Sequence, residues 1–394
     1  MQEEMQNKKN VMLLVPLLDQ GGLERICAMT ANLLKEKCSL ILVVFSTKNM
    51  LYDVSAVEMY DLNLGSRQGV FGKIRNVFRR ISAVKKIKRQ HKIQVTYSFG
   101  PSANLVNVLS RVKDKIWVGI RGYGALEDKR AMKLLCRRAD KVICCAKVMA
   151  DDIGRLFSTS KAECLYNPCD TEKIRDLCKA DIEERHKSFF EGAGSIIASM
   201  SRADDVKGFW HQIKAYAVIR KELPDTKLMI IGDGDFSEYE ALAEKLGVRD
   251  GVLFTGLQKN PFAYLYRASL YVMTSHTEGF PNSLIEAMAV GLPPLSVNCK
   301  SGPAEILLAD YRSAADQHKI YHGEYGVLLP VMNPEKNLDA AVVEEEEIIL
   351  AKEALGLLQR KDELSRMGEA AKKRSEDFST DSYVEGLMQK IRQV

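Results

Sequence analysis

The sequence predicts an α/β protein built from two doubly wound parallel sheets. Three observations lead there. A chain of 394 residues exceeds what one hydrophobic core usually organises. Short apolar runs recur, five before Asn167-Pro168 and five after it, each followed by a stretch of helical periodicity, as in successive βα units. The Asn167-Pro168 pair interrupts regular structure and separates the two series.

In the first half the expected strands are Val11 to Leu17, Leu40 to Phe45, Gln94 to Phe99, Lys115 to Ile120 and Lys141 to Cys145. Gly21-Gly22 follows the first of them, where the absence of a Cβ lets backbone N–H groups approach a phosphate, or simply makes a turn. Between the second and third runs, residues 70 to 92 form a basic amphipathic helix. Phe71, Ile74, Val77, Phe78, Ile81, Val84 and Ile87 recur at helical spacing, and nine Lys or Arg face no Asp or Glu. Its apolar face is expected on the sheet and its basic face in solvent or against anionic lipid.

A polar helix, Thr171 to Lys187, is expected to lead into the second series: Ser195 to Met200, Lys227 to Gly232, Val252 to Gly256, Leu270 to Thr274 and Leu292 to Val297. Arg202 and Lys207 follow the first of these strands, which puts two cations at the carboxyl end of a sheet. Gly232-Asp233-Gly234 lacks the third glycine of a dinucleotide fingerprint, since Ser237 stands there, and reads as a tight turn. Beyond Pro334 the chain reads as helical, with an acidic run Glu344 to Glu347.

Composition excludes several classes. The chain is 46% hydrophobic and 28% charged, an ordinary globular balance. No run approaches the roughly 18 apolar residues of a membrane-spanning helix, and the polar start Met1 to Asn10 does not resemble a signal peptide, so a cytoplasmic location is expected. Nine cysteines, an odd number without a Cys-x-x-Cys pair, indicate neither a disulfide framework nor a zinc site. Charge is uneven. Residues 1 to 168 hold 29 Lys or Arg against 15 Asp or Glu, net +14, and the remainder 28 against 37. The basic half favours anionic partners such as phosphate esters or lipid surfaces. Nucleic acid is not expected, because aromatics are few in the basic segments and no RNA-binding motif is present.

The most informative stretch is Glu278-Gly279-Phe280-Pro281-Asn282-Ser283-Leu284-Ile285-Glu286. Glu278 falls in a loop after a buried strand, and Glu286 in the first turns of the helix from Ser283 to Val290, which Gly291 ends. At that helix start the N–H groups of Asn282, Ser283 and Leu284 are expected to be unpaired and open to a ligand's polar groups.

This stretch resembles the Glu-x7-Glu signature of the retaining, nucleotide-sugar-dependent glycosyltransferases of family 4, which have the GT-B fold of two facing Rossmann-like domains. Gly21-Gly22 with Glu24, Asn167-Pro168-Cys169-Asp170, Ser201-Arg202 with Lys207-Gly208, Gly232-Asp233-Gly234 and Ser301-Gly302-Pro303-Ala304-Glu305 follow in the order that family requires, over roughly residues 10 to 330. The resemblance implies an acceptor-binding domain over 1–168, a nucleotide-sugar-binding domain over 169–378, and a last helix over 379–394 crossing back to the first. It also implies that Arg202 and Lys207 neutralise the leaving diphosphate in place of a metal, that Glu278 faces the hexose and the reaction centre, and that Glu286 holds the ribose diol. Gly21, Gly22, Phe280, Asn282, Ser283 and Leu284 complete the implied donor site. Neither a metal nor a separate cofactor is expected, the nucleotide-sugar being a substrate.

Many relatives carry His-Gly where this chain has Arg121-Gly122-Tyr123. Arginine is not a base at neutral pH, so Arg121 is expected on a phosphate of donor or acceptor. The resulting expectation is transfer of a hexose or N-acetylhexosamine from a UDP-sugar to an undecaprenyl-diphosphate-linked or other membrane-associated saccharide, beside an anionic membrane surface, in capsule or O-antigen assembly. The rivals are transfer to a protein or soluble saccharide, and a binding protein for anionic surfaces or nucleic acid.

Overall fold

The computed structural model describes residues 8–66 and 68–394; residues 1–7 of the polar start lie outside the described residues. Two compact units are present. One ends at Pro168 and also takes in Thr380–Val394, and the other is Cys169–Ser379.

The first unit is a parallel sheet in the order β3-β2-β1-β4-β5-β6-β7, formed by Asn10–Val15 (β1), Ser39–Val44 (β2), Glu58–Asp61 (β3), Val95–Phe99 (β4), Lys115–Ile120 (β5), Lys141–Cys144 (β6) and Ala162–Cys164 (β7). Alternation along β1 sorts its side chains between two cores. Val11, Leu13 and Val15 pack with Ile26 and Leu34 of the helix Gly22–Leu34 and with Tyr383, Leu387 and Ile391 of the last helix, Thr380–Arg392. Met12 and Leu14 pack with Val84 and Ile87 of the helix Val70–Gln90. The last helix is fixed further by Tyr383, whose hydroxyl is 2.7 Å from Thr30 Oγ1.

The second unit repeats the plan in the order β10-β9-β8-β11-β12-β14-β13: Ser195–Met200 (β8), Thr226–Ile231 (β9), Val252–Phe254 (β10), Leu270–Met273 (β11), Pro294–Val297 (β12), Tyr321–His322 (β13) and Val327–Leu329 (β14). All pairings are parallel except β13 with β14. In both sheets the chain winds outward from one central strand, then returns to start the opposite side. That switch lies between β1 and β4 in the first unit and between β8 and β11 in the second, where open α/β sheets bind ligands beyond their strand ends.

Two expectations change. The helix expected from Thr171 to Lys187 is two helices, Thr171–Leu177 and Glu184–Phe190. The break lets Ile182 bury and brings the Glu183 N–H to Tyr264 Oη at 3.2 Å, with His186 Nδ1 at 2.9 Å from the same hydroxyl. The apolar face of the 70–92 segment is only partly on the sheet. Val84 and Ile87 are buried, whereas Phe71 is 90% and Phe78 66% exposed. Ile74, at 50% exposure, is likewise no core residue. Among the described residues no helix is long and apolar enough to cross a membrane.

Candidate functional site

The site grows from the ends of β8 and β11. After Met200 the chain passes Arg202, which is exposed and makes no ion pair among the described residues, and enters a short 3-10 turn, Asp205–Lys207. Asp204 caps that turn by accepting from the Val206 N–H at 3.1 Å. Gly208 then adopts φ +62°, and a Cβ there would stand 2.7 Å from the Thr274 carbonyl oxygen, so this turn requires glycine. From the neighbouring strand, Thr274 Oγ1 donates to the Lys207 carbonyl (2.9 Å) and accepts from Gln212 Nε2 (2.8 Å). The His276 N–H donates to the Val206 carbonyl at 2.8 Å. The two loops are thus stitched together through their backbones, and the stitching delivers one charged contact: Lys207 Nζ lies 2.7 Å from Glu278 Oε1. Residues 71 positions apart in sequence meet at the switch point.

Beyond Glu278 the chain turns under a second loop. Ser301, a non-glycine residue at φ +75°, donates from Oγ to the Gly279 carbonyl at 2.6 Å. Gly302, at φ +98°, leaves room for Pro281, whose Cδ would be 2.4 Å from a Cβ. Phe280 is buried against Phe378, ring centroids 5.4 Å apart, so its side chain holds the loop. The helix Asn282–Val290 follows, closed by Gly291 at φ +99°. Of the three N–H groups expected to be unpaired at its start, that of Leu284 is bonded to the Pro281 carbonyl at 3.2 Å, and its side chain is buried. Glu286 is buried on this helix.

Tyr271 and Gln212 are additions that sequence reasoning misses. They line a recess with Ser199, Lys207, Glu278 and Ser283. Burial pushes the Tyr271 hydroxyl pKa up, Ser283 bonding to it opposes that rise, and the carboxylates of Glu286 and Glu278 add to it. A strand tyrosine carries no sequence signal for such a position, because in β11 it reads as one more apolar residue. His276 is a third addition. Burial, with His211 beside it, pushes its imidazole down to about 4, and it packs against Trp210 with ring centroids 5.3 Å apart.

The turn reading of Gly232-Asp233-Gly234 has a clear steric basis. A Cβ on Gly232 would lie 1.8 Å from the Ser201 carbonyl oxygen, and Ala203 N–H donates to the Asp233 carbonyl at 2.8 Å. These glycines let one loop press against the segment that carries Arg202.

In the first unit, Gly21 has an extended backbone and begins the helix Gly22–Leu34. The place of its missing Cβ is taken by the Glu24 carboxylate, with Oε2 2.1 Å from it. The helix start therefore already has a carboxylate above it, which a ligand phosphate would have to displace. Arg121 is drawn into the protein: Nη1 donates to Asn167 Oδ1 at 2.7 Å, Nη2 donates to the Tyr97 hydroxyl, and the guanidinium lies 5.4 Å from the Phe99 ring centre. Both terminal nitrogens are engaged within the unit.

Among the described residues, His211, Glu344 and Glu347 bring possible metal-ligand atoms within 4.8 Å of one another. Both His211 nitrogens are engaged, Nδ1 2.8 Å from Glu347 and Nε2 3.0 Å from the Asn333 carbonyl, and the buried Lys214 ammonium stands 3.9 Å from Glu347. A resident ammonium in the place of a cation makes this a structural cluster.

Residues 181–318 match the family model "Glycosyl transferases group 1". An uncharacterised glycosyltransferase of Methanocaldococcus jannaschii is 28% identical over 229 residues, covering 57% of this chain and 56% of that protein, so the match spans little more than half of the relative's length. The N-acetylgalactosamine-N,N'-diacetylbacillosaminyl-diphospho-undecaprenol 4-alpha-N-acetylgalactosaminyltransferase of Campylobacter jejuni is 26% identical over 334 residues, covering 80% of this chain and 84% of that one. Among solved structures, HepE of Anabaena in complex with UDP and glucose superposes with a TM-score of 0.73 at 16% identity, covering 98% of this chain and all of the other. With the signature carboxylates and the switch-point geometry in the same unit as the matched segment, residues 181–318 are similar to the group 1 glycosyl transferases, and the chain has the GT-B fold.

Proposed function

We propose that this chain is a retaining, metal-independent glycosyltransferase that moves a hexose or N-acetylhexosamine from a UDP-sugar to a lipid-linked saccharide at the inner face of the cell membrane, in cell-surface polysaccharide synthesis. The observation that carries the reading is the meeting of Lys207 and Glu278 at the carboxyl ends of β8 and β11. Breaking the bond from a sugar to a diphosphate builds negative charge on the leaving phosphate and positive charge at the anomeric carbon. A fixed ammonium and a fixed carboxylate, 2.7 Å apart and largely shielded from water, are the charges that such a separation needs on either side. In this reading Lys207 and Arg202 take the diphosphate, Glu278 takes the sugar, and Glu286 accepts both ribose hydroxyls through its two oxygens. Attack from the leaving-group side would retain the anomeric configuration without a protein nucleophile.

The donor assignment draws on HepE, which was solved with UDP and glucose. The acceptor assignment draws on the Campylobacter enzyme, whose acceptor is a diphospho-undecaprenol, and on the net charge of +14 over residues 1 to 168. Release of UDP by the purified protein, dependent on both donor and a lipid-diphosphate saccharide, tests the whole reading, and thermal-shift screening against UDP, GDP and ADP sugars tests the nucleotide.

Two outcomes are expected here. Glu286→Ala weakens binding of free UDP by about tenfold, the loss of a charged acceptor to two hydroxyls; unchanged affinity in calorimetry would remove the ribose role. Turnover survives excess EDTA, since the two cations supply the charge a divalent ion otherwise would. Activity abolished by chelation and restored by Mg2+ or Mn2+ would overturn metal independence.

A further inference from the structure

The helix Val70–Gln90 is held by one face and free on the other. On the inner face Asn76 Nδ2 donates to the carbonyls of Leu64 (3.2 Å) and Gly65 (2.6 Å), Arg80 Nε donates to Leu64 (2.8 Å), Val84 and Ile87 enter the core, and Lys88 Nζ pairs with Asp114 at 2.9 Å. These anchors recur every three to four residues and set the rotation of the helix. The outer face of its first turns is left carrying Val70, Phe71, Ile74 and Phe78, from 50% to 90% exposed, with exposed Arg75 and Arg79 between them. Farther along the same face come exposed Lys86 and Arg89. A groove of about 470 Å³ runs beside these turns, with Leu62 and Phe78 in its lining and Arg75 and Arg79 contributing guanidinium groups.

We propose that the first three turns of this helix insert into the headgroup and upper acyl region of an anionic bilayer. Phe71, Ile74 and Phe78 would enter the apolar layer, and Arg75, Arg79, Lys86 and Arg89 would meet lipid phosphates. This deepens the membrane-linked acceptor reading above and rests on it for its setting. A bilayer fits better than a protein partner because the charge is of one sign. The helix holds no Asp or Glu, and aromatic and basic residues share the outer face, the pattern of interfacial helices. It differs from a purely electrostatic contact of the basic face, since Lys88, one of its bases, is fully buried in an ion pair.

The test uses the full chain and vesicles of phosphatidylglycerol and phosphatidylcholine in equal parts, against pure phosphatidylcholine. Phe71→Ser with Phe78→Ser should lower co-sedimentation with the anionic vesicles by about tenfold or more, from the transfer energy of two aromatic side chains. Arg75→Gln with Arg79→Gln should abolish the preference for anionic over neutral vesicles. Because all four side chains are exposed, the circular dichroism and the melting temperature of these variants should match wild type. In a Phe71→Trp variant, the emission of the introduced indole should shift to the blue on adding anionic vesicles. Unchanged binding of the double-serine variant, indole emission indifferent to vesicles, or self-association through this face without vesicle binding would overturn the proposal. Donor-dependent UDP release with detergent-solubilised acceptor is measured in parallel. Its retention in variants that no longer sediment separates insertion from transfer, whereas its absence in wild type that still binds vesicles would remove the transferase reading alone.

Discussion

Replacing Lys207 by alanine is expected to lower turnover by about two orders of magnitude or more, with Arg202→Ala causing a loss of similar size. In the proposed reaction the reason is charge separation at the reacting bond. In the free protein Lys207 Nζ is satisfied by Glu278 at 2.7 Å, and the backbone around it is fixed by Asp204, Thr274 and His276, so the ammonium needs little reorganisation before a diphosphate arrives. A group that only helped bind the donor would change KM and leave kcat alone, whereas a charge called on as the leaving group departs changes kcat. The competing explanation is that Lys207 merely holds Glu278 in place. It predicts that Lys207→Met and Glu278→Gln have equal effects and that the double variant is no worse than either. A kcat above half of wild type in Lys207→Ala would overturn the role outright. Lys207 is partly exposed, so loss of fold is not expected to confuse the result.

How much of this was legible depends on how each element is stabilised. The central strands could be read because parallel strands covered on both faces must be apolar throughout, as Leu13, Leu42 and Val118 are. Glu58–Asp61 and Ala162–Cys164 could not, since edge strands of three or four residues, exposed along one side, require no apolar run. The same asymmetry governs the site. Arg202, Lys207 and Glu278 were nameable because charged residues after strand ends are conspicuous, and Glu286 by its spacing from Glu278, but Tyr271 and Gln212 look like structural residues until the recess is seen. The helix Val70–Gln90 shows where periodicity misleads. Spacing sorts residues onto faces but does not say which face is covered. Here polar Asn76 and Lys88 are buried, Asn76 donating from its amide nitrogen to two carbonyls and Lys88 paired with a carboxylate, while Phe71 and Phe78 are exposed.

Asp114→Ala is expected to destabilise the first unit by about 3–5 kcal/mol, because it strands a buried ammonium. Both members of the Lys88–Asp114 pair have fully buried side chains at 2.9 Å, with Asp114 also accepting from Thr96 Oγ1 at 2.6 Å and Val112 N–H at 3.0 Å, and Lys88 donating to Asn107 Oδ1 at 2.9 Å. Burial pushes the Lys88 ammonium down to about 8 against the pull of Asp114. Burial raises the Asp114 carboxyl, but the Lys88 charge and the hydrogen bonds from Thr96 and Val112 outweigh it and hold the pKa below its usual value. The signs differ for the two groups. The contribution of Asp114 is present above its ordinary carboxylate range and lost as pH falls through its lower native value. For Lys88 the unfolded chain binds more protons between about 8 and the ordinary lysine value of 10.5, so this residue adds a rising slope to stability in that window. The measurement is helped by the two tryptophans, Trp117 in the first unit and Trp210 in the second. In a Trp210→Phe background, urea unfolding followed by Trp117 fluorescence reports the first unit within the full chain. Lys88→Met with Asp114→Val should recover most of what Asp114→Ala loses, since removing both charges removes the desolvation cost as well. A loss below about 1 kcal/mol for Asp114→Ala would mean that water reaches the ammonium, and the pair would then be no anchor for the helix that carries Phe71 and Phe78.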